Sequence, residues 1–144
     1  MKKILLTLIV LLSILTVKAQ RTDSARNKVV NVIMVNDNAI FVSVEHIPEY
    51  PGGINQFYKF LVKNLRYPAT ARENNTQGRV IVQFIVEKDG SLSDVKVVRG
   101  VGDGCDEEAV RLVKLSSPWK AGIQNGRAVR VMYTVPVSFE LAGQ

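Results

Sequence analysis

The residues that could do covalent chemistry are few and scattered. The chain has one histidine, His46, beside Glu45, and one cysteine, Cys105. A serine–histidine–acid site needs the histidine near a strained nucleophile turn, and nothing in the sequence resembles one. His46 reads instead as an exposed or hydrogen-bonded residue at a strand end. A lone cysteine makes neither an intrachain disulfide nor a cysteine-based metal site, and Cys105 reads as a small buried residue. Asp106, Glu107 and Glu108 are consecutive carboxylates. On a helix they point about 100° apart, so they do not converge on one substrate atom, and the helix dipole accounts for them at a helix start. Gly100-Val101-Gly102-Asp103-Gly104 precedes that helix and could cradle a phosphate. No Lys-Ser or Lys-Thr follows it, however, and the surrounding acids would repel an anion. Trp119 could stack on a ligand, but a single tryptophan in a small domain reads as a structural anchor. No catalytic residue, metal ligand or cofactor is expected.

What remains is the chemistry of the backbone. From Arg127 to Leu141 the odd positions carry Val129, Val131, Tyr133, Val135, Val137, Phe139 and Leu141, and polar or small residues mostly fill the positions between. Alternation with period two marks a strand with one face to a core. Fully extended, the stretch would reach about 50 Å, longer than strands usually run, so a bend or an overhang is expected. Pro136 has no N–H to give to a ladder and belongs on an edge strand or a bulge. An open strand edge recruits another chain or must be protected from doing so. In an antiparallel ladder successive residues direct their N–H and C=O to opposite sides. If Pro136 turns its donorless side outward, the backbones of Ala128, Arg130, Met132 and Thr134 face the open edge. These are the candidate binding residues.

The elements that must position this edge follow from the rest of the chain. At 144 residues there is room for one main domain, and 47% hydrophobic content supports a core and excludes disorder. The net charge of +6 includes Lys2, Lys3 and Lys18 at the start; no basic run or basic–aromatic interleaving points to nucleic acid. Residues 1–19 read as an export signal: Lys2 and Lys3, an apolar run over 4–17, then Val17-Lys18-Ala19 at the cleavage site, with an uncut membrane anchor as the alternative. Residues 20–47 form an extension in which the apolar runs 29–35 and 40–44, separated by Asn36-Asp37-Asn38-Ala39, predict a β-hairpin or two extended segments. Pro48-Glu49-Tyr50-Pro51-Gly52-Gly53 breaks the chain. A helix over 54–65 follows, with Ile54, Phe57, Tyr58, Leu61, Val62 and Leu65 as a core-packing stripe. Tyr67-Pro68 opens a short helix over 68–74. Gly78 precedes a strand over 79–87, Asp89-Gly90 makes a hairpin turn, and a second strand covers 92–99. A helix over 105–115 is capped by Asp103 or Asp106, and a loop through Trp119, Gly122 and Gly126 leads to the last strand.

Over Phe41 to Leu141 this pattern resembles the TonB C-terminal domain, in the form common in exported proteins of the Bacteroidetes type. The resemblance rests on Pro48 to Gly53; Tyr67-Pro68 with Ala71; Gly78-Arg79-Val80 with Val82, Phe84 and Val86; and Asp89-Gly90 with Val95 and Val97. It continues through Gly104, Asp106, Glu108 and Ala109; Trp119-Lys120 with Gly122; Gln124 with Gly126-Arg127; and Pro136-Val137 with Phe139. The chain departs from the family at Ala121, where a proline is usual, and at Ser117-Pro118. Its N-terminal apolar run lacks the histidine of full TonB transducers, and it has no proline-rich linker. The resemblance implies an α+β domain spanning 48–144: a three-stranded antiparallel sheet with two helices on one face, plus the N-terminal hairpin and helix. It implies a periplasmic, non-enzymatic protein that binds TonB-dependent outer-membrane receptors through their TonB boxes by strand addition. Coupling to a proton-channel complex of the inner membrane would follow from the full transducer role, which the departures support less than binding. The alternative is an envelope adaptor, or a homodimer formed through the same edge.

Overall fold

The computed structural model describes residues 32–33 and 39–141. The expected export signal, the polar lead-in and most of the turn at 36–39 lie outside them. The elements in chain order are β1 (Val32–Ile33), β2 (Ile40–Phe41), α1 (Ile54–Asn64), α2 (Ala69–Glu73), β3 (Gly78–Val86), β4 (Leu92–Arg99), α3 (Cys105–Leu115), β5 (Gly122–Gln124) and β6 (Arg127–Phe139). This is an α+β architecture.

The central unit is the antiparallel set β4–β3–β6. Alternation puts Val80, Val82, Phe84 and Val86 of β3 on one face, where all are fully buried, with Val135, Val137 and Phe139 of β6 beside them. The helices cover this face with Phe57 and Leu61 of α1, Ala71 of α2, and Cys105, Ala109, Leu112 and Val113 of α3, giving one core. The hairpin between β3 and β4 is closed by the Glu87 N–H donating to the Ser91 carbonyl at 2.8 Å and the Gly90 N–H to the Glu87 carbonyl at 2.9 Å. Asp89 stiffens it by accepting from the Ser91 N–H at 2.9 Å.

β3 and β6 pair without a register shift from Gly78↔Phe139 to Val86↔Val131. β6 therefore overhangs β3 at its N-terminal end, where the expected excess length goes. β1 and β2 do pair as an antiparallel hairpin, and β2 then runs parallel to β6, with Ile40 opposite Arg130 and Phe41 opposite Val131. β5 was not expected. Gly-Ile-Gln is too short to show alternation, but it folds back on Arg127–Val129 through Asn125 and Gly126, both at positive φ.

Candidate functional site

The last strand carries the candidate site, and its neighbours define how much of it is open. On one side β3 covers Val131 to Phe139. On the far side from β3, β2 meets Arg130 and Val131. β5 occupies Arg127 to Val129. Among the described residues, no strand lies against the stretch from Met132 to Phe139 on the side away from β3. The four candidate residues thus fall into two groups. Ala128 sits opposite Ile123 of β5, and Arg130 opposite Ile40 of β2. Met132, half-buried opposite Ile85, and Thr134, exposed opposite Gln83, lie in the uncovered stretch. β6 is therefore not an edge strand along its whole length, because the chain's own β2 pairs with Arg130 and Val131 on the side away from β3.

The Arg130 side chain is committed elsewhere. Its Nε donates to Glu87 Oε2 at 2.7 Å and its Nη2 to Glu87 Oε1 at 2.9 Å. The Arg130 hydrogen bond holds the Glu87 carboxyl below the usual carboxylate range; burial opposes it and the Ser93 hydroxyl adds to it.

The second wall of the site is α1. The stripe expected to pack into the core spans about 140° of the helix surface at 100° per residue, wider than the sheet can cover. α1 is rolled so that Phe57 and Leu61 are buried, while Ile54, Tyr58 and Val62 are left 44%, 43% and 81% exposed. Beside the uncovered stretch lies a concavity of about 290 Å³ lined by Tyr58, Leu61, Val62 and Leu65 on one side and Pro136, Val137, Ser138 and Glu140 on the other. A second one, of about 510 Å³, lies between Ile54, Tyr133, Trp119 and the segment 45–50. That segment is pinned by backbone pairs: the His46 N–H donates to the Ile123 carbonyl at 3.1 Å, and the Lys120 N–H donates to the Glu49 carbonyl at 2.8 Å. Glu45, His46 and Glu49 are exposed along it.

α1 itself is held at its C-terminal end by α3. Arg111 Nη2 donates to the Asn64 carbonyl at 2.8 Å, and Glu108 Oε1 accepts from the Arg66 N–H at 2.7 Å. Arg111 and Glu108 are joined by hydrogen bonds of 2.7 and 2.8 Å. Burial pushes the Glu108 carboxyl up, but Arg111 and the Arg66 N–H outweigh it and hold it low.

The family motif residues are structural. Trp119 is 4% exposed, ringed by Tyr50, Phe57, Phe84 and Tyr133 at centroid distances of 5.8, 5.1, 5.3 and 5.5 Å. Its Nε1 donates to Ser116 Oγ at 2.9 Å. Tyr67 Oη donates to the Thr76 carbonyl at 2.5 Å, and Pro68 is the residue preceding the first turn of α2. A Cβ on Gly78 would meet Val101 at 2.9 Å, and one on Gly122 would meet Val131 at 2.5 Å. Neither expected acid caps α3, whose N-cap is Gly104. Asp106 instead reaches back to accept from the Val101 and Gly102 N–H groups at 2.9 and 3.2 Å. Asp103 accepts from Asn74 Nδ2 at 3.2 Å and from the Thr76 hydroxyl, tying the loop to α2. Cys105 is fully buried; burial, then the acids Asp106, Asp103 and Glu107, push its thiol up, away from the reactive thiolate. Among the described residues, no cluster of His, Cys, Asp and Glu could hold a metal ion.

The chain matches the family described as Gram-negative bacterial TonB protein C-terminal over residues 63–141. It is 35% identical over 74 residues to the protein named Protein TonB of Haemophilus influenzae, covering 49% of this chain and 27% of that relative. The chain therefore spans about a quarter of the relative's length. Among solved structures it is similar to the TonB C-terminal domain of Helicobacter pylori, with a TM-score of 0.48 and 23% identity over 63% of this chain and 96% of that one. It is also similar to that of Pseudomonas aeruginosa, with a TM-score of 0.40 and 22% identity over 55% of this chain and 80% of that one.

Proposed function

The chain belongs to the family of Gram-negative bacterial TonB protein C-terminal domains, and from that premise we propose that it captures extended segments of outer-membrane receptors by adding them as a strand to the uncovered flank of β6. The observation that carries this reading is the stretch from Met132 to Phe139, opposite an unbroken β3 ladder and with no further strand against it among the described residues. Pro136 stands opposite Ile81. Without an N–H it fits a position that does not bond to β3, and the alternation then turns the backbones of Met132, Thr134 and Ser138 outward. An added strand would gain main-chain hydrogen bonds there, the source of affinity in β-augmentation.

In this role the protein is not an enzyme. Residues 1–19 direct export and are removed, residues 20–47 are an N-terminal extension that contributes Val32–Ile33 and Ile40–Phe41 to the sheet, and residues 48–144 are the receptor-binding domain in the periplasm. Retention of the first segment as an inner-membrane anchor is the other arrangement. Among the described residues no helix is long and apolar enough to cross a membrane. The energy for transport across the outer membrane would come from a proton-channel complex of the inner membrane.

Semisynthetic domains test the strand addition. N-methylation of Met132 or Thr134 should weaken binding of a receptor TonB-box peptide about five- to tenfold, the loss of one hydrogen bond. N-methylation of Glu140 should change little. Equal affinity in all variants, with the fold intact, would sink the reading. The same bare edge would also serve a self-associating adaptor, since exposed edges pair with copies of themselves. Sedimentation without peptide, showing a dimer whose formation is blocked by N-methylation at Thr134, would favour that role.

A further inference from the structure

Resting on the strand-addition reading, we propose that the exposed ridge of α1 and the acids at the two ends of the flank select the incoming strand: a segment with apolar side chains at alternate positions and a cationic residue at each end. The ridge is Ile54, Tyr58 and Val62. It precedes residue 63, where the family-model match begins.

Three observations point the same way. The ridge and the strand run alongside each other in the same order: Ile54 shares a concavity with Tyr133, and Tyr58 and Val62 share one with Pro136 and Ser138. Their spacings agree. Ridge residues four apart rise about 6 Å along a helix, and same-face residues of a strand repeat at about 6.7 Å. One face of an added strand would therefore present a side chain to each ridge residue in turn. Large apolar side chains exposed in a continuous row, rather than singly, mark a contact surface. The charge is equally one-sided. Without residues 1–19 the protein still carries a net +3, 16 basic against 13 acidic residues, yet Glu45 and Glu49 line one concavity and Glu140 the other, with no lysine or arginine in either lining. Those acids favour a cation on the partner and disfavour an acid.

The test titrates the full chain with a short peptide of alternating valine and threonine, flanked by lysines, and with the same peptide flanked by glutamates. Amide chemical shifts of Met132, Thr134 and Ser138 report strand addition. Val62→Asp and Tyr58→Asp alter the ridge, and Val98→Asp, an exposed position on β4, is the control. The expected result is binding of the lysine-flanked peptide with shifts at those three amides. The glutamate-flanked peptide and both ridge variants should bind about tenfold more weakly, and the control should bind as wild type. Thermal melts confirm that the ridge variants are folded. Shifts at the flank with ridge variants unaffected, or with glutamates tolerated as well as lysines, would overturn this inference and leave strand addition standing. No shift with any peptide, or dimerisation through the ridge in sedimentation, would overturn both.

Discussion

Trp119 fastens the loop that delivers the chain from α3 to β5. Its ring fills the space between Tyr50, Phe57, Phe84 and Tyr133, and the Trp119 backbone N–H donates to the Gly90 carbonyl at 2.8 Å. The contact explains a glycine as well. A Cβ on Gly90 would lie 2.0 Å from the Trp119 carbonyl oxygen, and Gly90 has a φ of 85°; a side chain fails there on both counts. Trp119→Ala removes the centre of an aromatic cluster and leaves Ser116 Oγ without its donor. It should cost about 3–5 kcal/mol in denaturant melts. Full stability combined with lost peptide binding would make Trp119 a contact residue instead.

At the scale of elements, α1 is both core and surface. The buried half of its stripe secures it to the sheet, and the Glu108–Arg111 pair grips its C-terminal carbonyl at Asn64. Glu108→Ala should lower stability by about 1.5–3 kcal/mol, the usual range for hydrogen bonds to a charged group. Acid should act through the same groups. Glu87 and Glu108 both have folded pKa values below their ordinary value. Their stabilisation is therefore complete above the unfolded carboxylate pKa, about 4.3, and is lost as pH falls through the lower folded values. Denaturant midpoints measured from pH 7 downward should hold to about pH 5 and then drop. In Glu87→Gln part of that drop should vanish, and a pH profile identical to wild type would remove Glu87 from the account.

At the scale of the whole molecule, the sheet order β1-β2-β6-β3-β4 places the longest strand inside the sheet at one end and at its margin at the other. This predicts an alternating pattern of amide hydrogen exchange. Tyr133, Val135 and Val137 should be protected by their bonds to β3, and Met132, Thr134 and Ser138 should exchange fast until a strand is added. Uniform protection along β6 in the free protein would mean that its flank is already covered. β2 gives the margin a sharp start at Val131. Under the strand-addition proposal, a partner strand would land on the stretch from Met132 onward, beside the α1 ridge.

The sequence by itself determined the alternating strands, the Asp-Gly hairpin, the amphipathic third helix and the family motif, because each is a local pattern whose period or turn chemistry leaves few other conformations. Pro136 likewise announced a strand position without an inward donor. Tertiary structure alone decided the rest. Helical spacing placed Ile54, Tyr58 and Val62 beside Phe57 and Leu61, but only the width of the sheet beneath decided which of them stayed exposed. β5 carries no periodic signal in its short span and exists because β6 and residue 46 offer it backbone partners. Ala128 and Arg130 alternate in sequence just as Met132 and Thr134 do. The difference between Arg130 and Met132 comes from β2, which pairs with β6 only as far as Val131 and whose approach depends on distant contacts that no local pattern in the last strand records.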